Sequence, residues 1–151
     1  MRPVCLAVTA VLLLGLASCG DRLKRVPVQG KVSALGAPLA NATIQFLPAD
    51  TTKGEGGIGT ADQDGNFTLT GSRRGEKGVV PGKYKVRVSR FLERDGTPLP
   101  QDWKQAEHPS AKETVPPPYS AIDSPFEVTV PEDGGTINVD LPVKALDVKK
   151  K

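Results

Sequence analysis

Lys83-Tyr84-Lys85-Val86-Arg87-Val88 decides the fold class, because its apolar residues take every second position and its basic residues the positions between. A repeat of two puts Tyr84, Val86 and Val88 on one face of a β-strand and Lys83, Lys85 and Arg87 on the other. The apolar face must be buried, and the basic face is suited to solvent, where it also discourages edge-to-edge pairing. An anionic partner such as a cell-wall polymer is the alternative reading of that basic face.

The same alternation recurs on both sides of this stretch. Val26, Val28 and Val32 alternate with Pro27, Gln29 and Lys31, and Ala42, Ile44 and Phe46 alternate with Thr43 and Gln45. Ile58 with Thr60, Phe67 with Leu69, the set Phe126, Val128 and Val130, and the set Ile137, Val139 and Leu141 continue it. These runs predict about seven strands, each burying one face. Beyond the N-terminal segment, no window of 11 or more residues keeps an apolar stripe at helical spacing, and 14 Pro and 16 Gly interrupt the chain too often for long helices. The expected class is all-β: such strands cover one another in a two-sheet sandwich or a partly closed barrel, and a sandwich over residues 26–142 is the one predicted. Gly36-Ala37-Pro38-Leu39, Asp62-Gln63-Asp64-Gly65-Asn66 and Pro81-Gly82 supply the restricted or left-handed backbone that reversals need.

In order and spacing, Gly30-Lys31-Val32, Gly36 to Phe46, Thr60 to Phe67 and Val80 to Val86 resemble the carboxypeptidase regulatory-like, transthyretin-like domains. The resemblance covers most of Val26 to Leu141. It implies a seven-stranded Greek-key sandwich of Ig-like or transthyretin-like type, used as an accessory or adhesion-like module on secreted proteins, and it implies no single activity.

Enzymes built on related folds need residues that are missing here. Hydroxyisourate hydrolases use several His and a C-terminal Tyr-Arg-Gly-Ser, whereas His108 is the sole His and the chain ends Asp147-Val148-Lys149-Lys150-Lys151. Intradiol dioxygenases hold iron with two Tyr and two His, and the metallocarboxypeptidase His-x-x-Glu motif is absent. No glycine elbow surrounds a candidate serine nucleophile, so His108 reads as a satisfied surface residue. Asp62-Gln63-Asp64-Gly65-Asn66 carries alternating oxygen ligands but lacks the bidentate Glu of a calcium loop, and a turn bonding its own backbone explains it without metal. No catalytic residue, metal site or cofactor is expected, with calcium at the Asp62–Asn66 turn as the minor alternative.

The N-terminus sets the expected location. Arg2 followed by an apolar run from Val4 to Leu16 reads as a secretory signal, too short for a permanent membrane span. Leu16-Ala17-Ser18-Cys19 resembles the lipobox of bacterial lipoproteins. That resemblance implies cleavage between Ser18 and Cys19, a diacylglyceryl group on the Cys19 sulfur, and acylation of the new amino terminus. Membrane residence then needs no helix, because each buried methylene contributes about 0.8 kcal/mol and two or three chains hold firmly. Gly20, not Asp, follows the Cys, so inner-membrane retention is not indicated and the leaflet stays open.

The resulting layout is a signal at 1–18, a lipidated tether at 19–25, a β domain at 26–142 and a basic tail at 143–151. Cys5 leaves with the signal and Cys19 is acylated, which removes internal disulfides and thiol chemistry from the mature chain. A net charge of +3 with interspersed signs argues against a nucleic-acid partner.

Residues 91–125 are too long for a routine connection in a compact domain, so this segment is expected to be functional or disordered. It holds Trp103, the sole Trp, and Pro116-Pro117-Pro118-Tyr119, whose prolines favour an extended backbone. Trp103 and Tyr119 are the candidate ligand contacts. The expected function is a non-enzymatic, lipid-anchored module of the cell envelope whose partner is an envelope protein or polysaccharide. A carbohydrate-binding role resting on Trp103, Tyr119 and Tyr84 is the first alternative, and a hydrolase using loop carboxylates is the second.

Overall fold

The computed structural model describes residues 23–73, 75–99 and 103–146. Ser18, Cys19, the signal, most of the tether and the basic tail past residue 146 lie outside the described residues. The described chain is all-β with no helix, and hence no helix long and apolar enough to cross a membrane.

Two five-stranded sheets carry the fold. In the first, β1 (Val28–Ala34) is central. It pairs antiparallel with β2 (Ala37–Pro38) and β5 (Asn66–Thr68), and parallel with β11 (Gly135–Thr136) and β12 (Val139–Leu141). The second sheet is antiparallel and runs β10 (Glu127–Val130), β7 (Gly82–Ser89), β3 (Thr43–Pro48), β4 (Gly57–Thr60), β6 (Thr70–Gly71). The backbone passes from the first sheet to the second at Leu69, whose buried side chain sits between β5 and β6.

Inward residues of both sheets share one core. Val28, Val32, Val139 and Leu141 come from the first sheet, and Ile44, Phe46, Tyr84, Val86 and Val88 from the second. Phe46 lies at its centre, with ring centroids 6.5 Å from Phe67 and 5.7 Å from Tyr84. The alternation of Lys83 to Val88 appears as expected, with Tyr84, Val86 and Val88 buried and Lys83, Lys85 and Arg87 on the outer face.

One strand turns its faces the other way. Ile58 and Thr60 were expected inward, but they pair with Gln45 and Thr43 on the outer side of β3, and Gly57 and Gly59 face the core. A β-carbon at Gly57 would meet Val79 at 2.3 Å, and one at Gly59 would meet the Thr68 carbonyl at 2.6 Å. Neighbouring elements already fill that space, so the residues without side chains are the ones that fit inward.

The long segment is ordered where it is described. It contains a two-stranded ribbon, β8 (Phe91–Leu92) with β9 (Lys112–Glu113), that the sequence pattern does not announce. Beyond the ribbon, the Arg90 carbonyl accepts from Thr114 N, Tyr119 O from Val88 N at 3.0 Å, and Ser120 O from Arg87 Nε at 2.7 Å. Val115 and Ser124 are buried, so this half of the segment covers part of the sandwich. The Pro117–Pro118 peptide is cis.

Candidate functional site

The outer face of the second sheet carries a cleft where β3, β4 and β7 end beside the ribbon. Thr43, Gln45, Thr60, Arg87 and Ser89 form its floor, with Asn41 at one side and Phe91, Leu99 and Trp103 as its wall; its volume is about 330 Å³. The floor residues are there because they occupy outward positions of a half-buried sheet, where polar side chains belong. The register aligns Thr43 with both Thr60 and Ser89, and Gln45 with Arg87.

Arg87 is held in place on two sides. Its Nε donates to the Ser120 carbonyl at 2.7 Å and its Nη1 to Gln45 Oε1 at 3.1 Å. Both acceptors are neutral, so the guanidinium charge is positioned without being cancelled. Among the described residues no carboxylate lines the cleft or forms an ion pair with Arg87. Ser89 Oγ reaches Glu113, whose other carboxylate oxygen accepts from the backbone amides of Arg90 and Val115 at 2.8 and 2.9 Å.

The aromatic wall is braced from behind. The Trp103 ring lies 4.8 Å from Phe91 and 6.3 Å from the His108 ring, the latter edge-on. His108 Nδ1 is 2.7 Å from Glu93 Oε1, and Ser110 Oγ donates to Glu93 Oε2 at 2.5 Å. The Ser110 bond, then the His108 bond, holds the Glu93 carboxyl below the usual range. Ser110 hands its hydrogen to the carboxylate and not to the imidazole. The three residues form a clasp closing the loop from Glu93 to Ser110.

Of the two candidate contacts, the structure brings Trp103 to the cleft and leaves Tyr119 out of it. Tyr119 is half-buried against the core, and its carbonyl extends the hydrogen bonding of β7. Tyr84 cannot serve as a surface platform, because it is fully buried and its hydroxyl donates to the Val80 carbonyl at 2.5 Å. Burial pushes its phenol upward, keeping it a neutral donor. Asn41, Thr43, Gln45, Ser89 and Phe91 carried no signal as cleft residues in the sequence; only the outward alternation of Thr43 and Gln45 hints at them.

The calcium-like turn spends its oxygens on itself. Asp62 Oδ1 accepts from the amides of Asp64 and Asn66 at 2.9 and 2.8 Å, and Asn66 Nδ2 reaches Oδ2 at 3.0 Å. These bonds, Asn66 first, hold the Asp62 carboxyl below its ordinary value. Among the described residues no group of three or more His, Cys, Asp or Glu is arranged to hold a metal ion.

Comparison of the chain with protein-family models, with curated proteins and with solved structures returned no match.

Proposed function

We propose that this chain is a non-catalytic, lipid-anchored binding module of a bacterial cell envelope, displaying its cleft on the side away from the membrane. The observation that supports the reading is the placement of the first described residues, Leu23 to Val26, and of the cleft at opposite ends of β7. Leu23 lies in a groove with Val80, Pro81 and Gly82, Lys24 Nζ donates to Glu132 O at 3.2 Å, and Val26 bridges to Val79. Arg25 fixes this end by ion pairs of 2.8 Å to Glu55 and 2.7 Å to Glu76. Gly82 opens β7 there, and Ser89 closes the strand at the cleft. At roughly 3.3 Å per residue the two ends are about 23 Å apart. The first described residues thus lie at one end of β7 and the cleft at the other.

The finer fold assignment belongs to the same reading. Counting β5 with β6 and β11 with β12 as single interrupted strands, and leaving aside the short β2 and the β8–β9 ribbon, leaves seven strands, a count that supports the reading of a seven-stranded Greek-key sandwich of the transthyretin-like type. The Tyr84 hydroxyl bonding back to Val80 supports it, since a tyrosine corner of this kind recurs in Greek-key sandwiches.

The test is expression of the full chain and of Cys19→Ser in a bacterium, with membrane fractionation and intact mass of the mature product. A membrane-bound product carrying lipid mass on residue 19, lost in Cys19→Ser, is expected. A soluble, unlipidated product from both would overturn the anchor.

A further inference from the structure

We infer that the cleft bounded by Trp103 and Arg87 is a binding site for a short saccharide bearing a carboxylate, such as a uronic-acid unit of an envelope polymer. This deepens the binding reading above but does not depend on the lipid anchor.

The chemistry of the lining selects the class. A sugar ring presents an apolar face of C–H bonds and an edge of hydroxyls that both donate and accept. A site for it therefore needs an aromatic wall and, beside it, side chains with mixed hydrogen-bonding capacity. The cleft has both. Trp103 is half-exposed and cannot swing freely, because Phe91 packs on it and His108 meets it edge-on. Asn41, Thr43 and Gln45 supply amide and hydroxyl groups, and none is fully buried. At about 330 Å³ the cleft is at the small end for ligand pockets, which suits a short saccharide and not a large cofactor.

Arg87 sets the charge of the ligand. It is the one charged residue in the described lining, and its two fixed bonds go to an amide oxygen and a backbone carbonyl. A guanidinium held by neutral acceptors keeps its full attraction for an anion, and charge-assisted bonds to carboxylates are roughly twice as strong as neutral ones. Ordering is already complete on the protein side, so binding need not immobilise that long side chain. Along β7 outside the cleft, Lys83 is paired with Asp50 at 3.4 Å and Lys85 lies opposite Glu127, so Arg87 alone carries the charge selection.

Trp103 is the sole Trp of the chain, so its emission reports on the site directly. The full chain, purified in detergent, is titrated with oligogalacturonates and oligoalginates, and in parallel with cello- and chito-oligosaccharides. Calorimetry supplies affinities independent of fluorescence. The expected result is a shift of Trp103 emission saturating with the acidic oligosaccharides, weaker or absent with neutral ones and diminished by added salt. Arg87→Gln is expected to weaken the acidic ligand about tenfold and to erase its advantage over the neutral series, while Trp103→Ala weakens both series about tenfold by calorimetry. Should Arg87→Gln unfold through loss of the Ser120 contact, Asn41→Gly serves instead: it keeps the left-handed backbone at that position (φ 60°) and removes one polar group from the cleft, with an expected severalfold loss. No response to any acidic oligosaccharide overturns the inference, as does equal affinity for neutral and acidic series. Because binding is measured in solution, a failure here and a failure of the lipid anchor are separately visible.

Discussion

Replacing Tyr84 by Phe removes one oxygen atom and leaves the ring that packs on Phe46 at 5.7 Å. The side chain is fully buried, and its hydroxyl donates to the Val80 carbonyl at 2.5 Å, tying the start of β7 to the preceding turn. A hydrogen bond of this kind contributes about 1 kcal/mol net, and an acceptor left without a partner costs about 1–3 kcal/mol where water cannot reach it. Val80 is half-buried, so water recovers part of that loss, and about 1–2 kcal/mol is the expected destabilisation. Unfolding entropy near the midpoint is about 2.1 cal/mol/K per residue, or about 250 cal/mol/K over about 120 residues, so Tm should fall by about 4–8 °C. Differential scanning calorimetry of the parent and Tyr84→Phe at one pH measures this. A change in Tm of about 1 °C or less would refute the reasoning, because it would mean that the corner bond adds nothing beyond ring packing.

Two further outcomes follow from the backbone and the carboxylates. Gly30→Ala is expected to cost more than any exposed strand substitution and to disturb β1 against β11, since its β-carbon would lie 1.8 Å from the Ile137 carbonyl oxygen; urea unfolding with a midpoint unchanged from the parent would contradict it. Asp62, Glu93 and Asp140 are all held below their ordinary values, chiefly by Asn66, Ser110 and Ser33 respectively, so the folded chain binds fewer protons than the unfolded one. Their stabilisation is present above the unfolded carboxylate values of about 4 and is lost as pH falls through the lowered folded values, so Tm should be level near neutrality and drop in acid, with a shallower drop in Asp140→Asn.

The core and the floor of the cleft are written on alternate positions of the same strands, β3 and β7. Strand positions were readable because a half-buried strand must alternate, and Lys83 to Val88 does so without interruption. Ile58 misled for the same reason: alternation identifies a strand but not which neighbour fills the space above it, and Val79 and Leu69 had taken the room that a side chain at Gly57 or Gly59 would need. The clasp of Glu93, His108 and Ser110 was invisible as a unit, since its members are 15 and 17 residues apart and meet only when the ribbon forms.

By itself the sequence determined the all-β class, the turns, the buried faces of β3 and β7, and the placing of Trp103 in an unusual segment. Those are local properties, set by side-chain period and by the backbone preferences of Gly, Pro, Asn and Asp. Tertiary structure decided that Tyr119 and Tyr84 serve the core while Trp103 walls a cleft, and that Arg87 stands in it among neutral partners. Those outcomes depend on register between strands distant in sequence and on where a long segment folds back, and neither is encoded in the spacing of any one stretch.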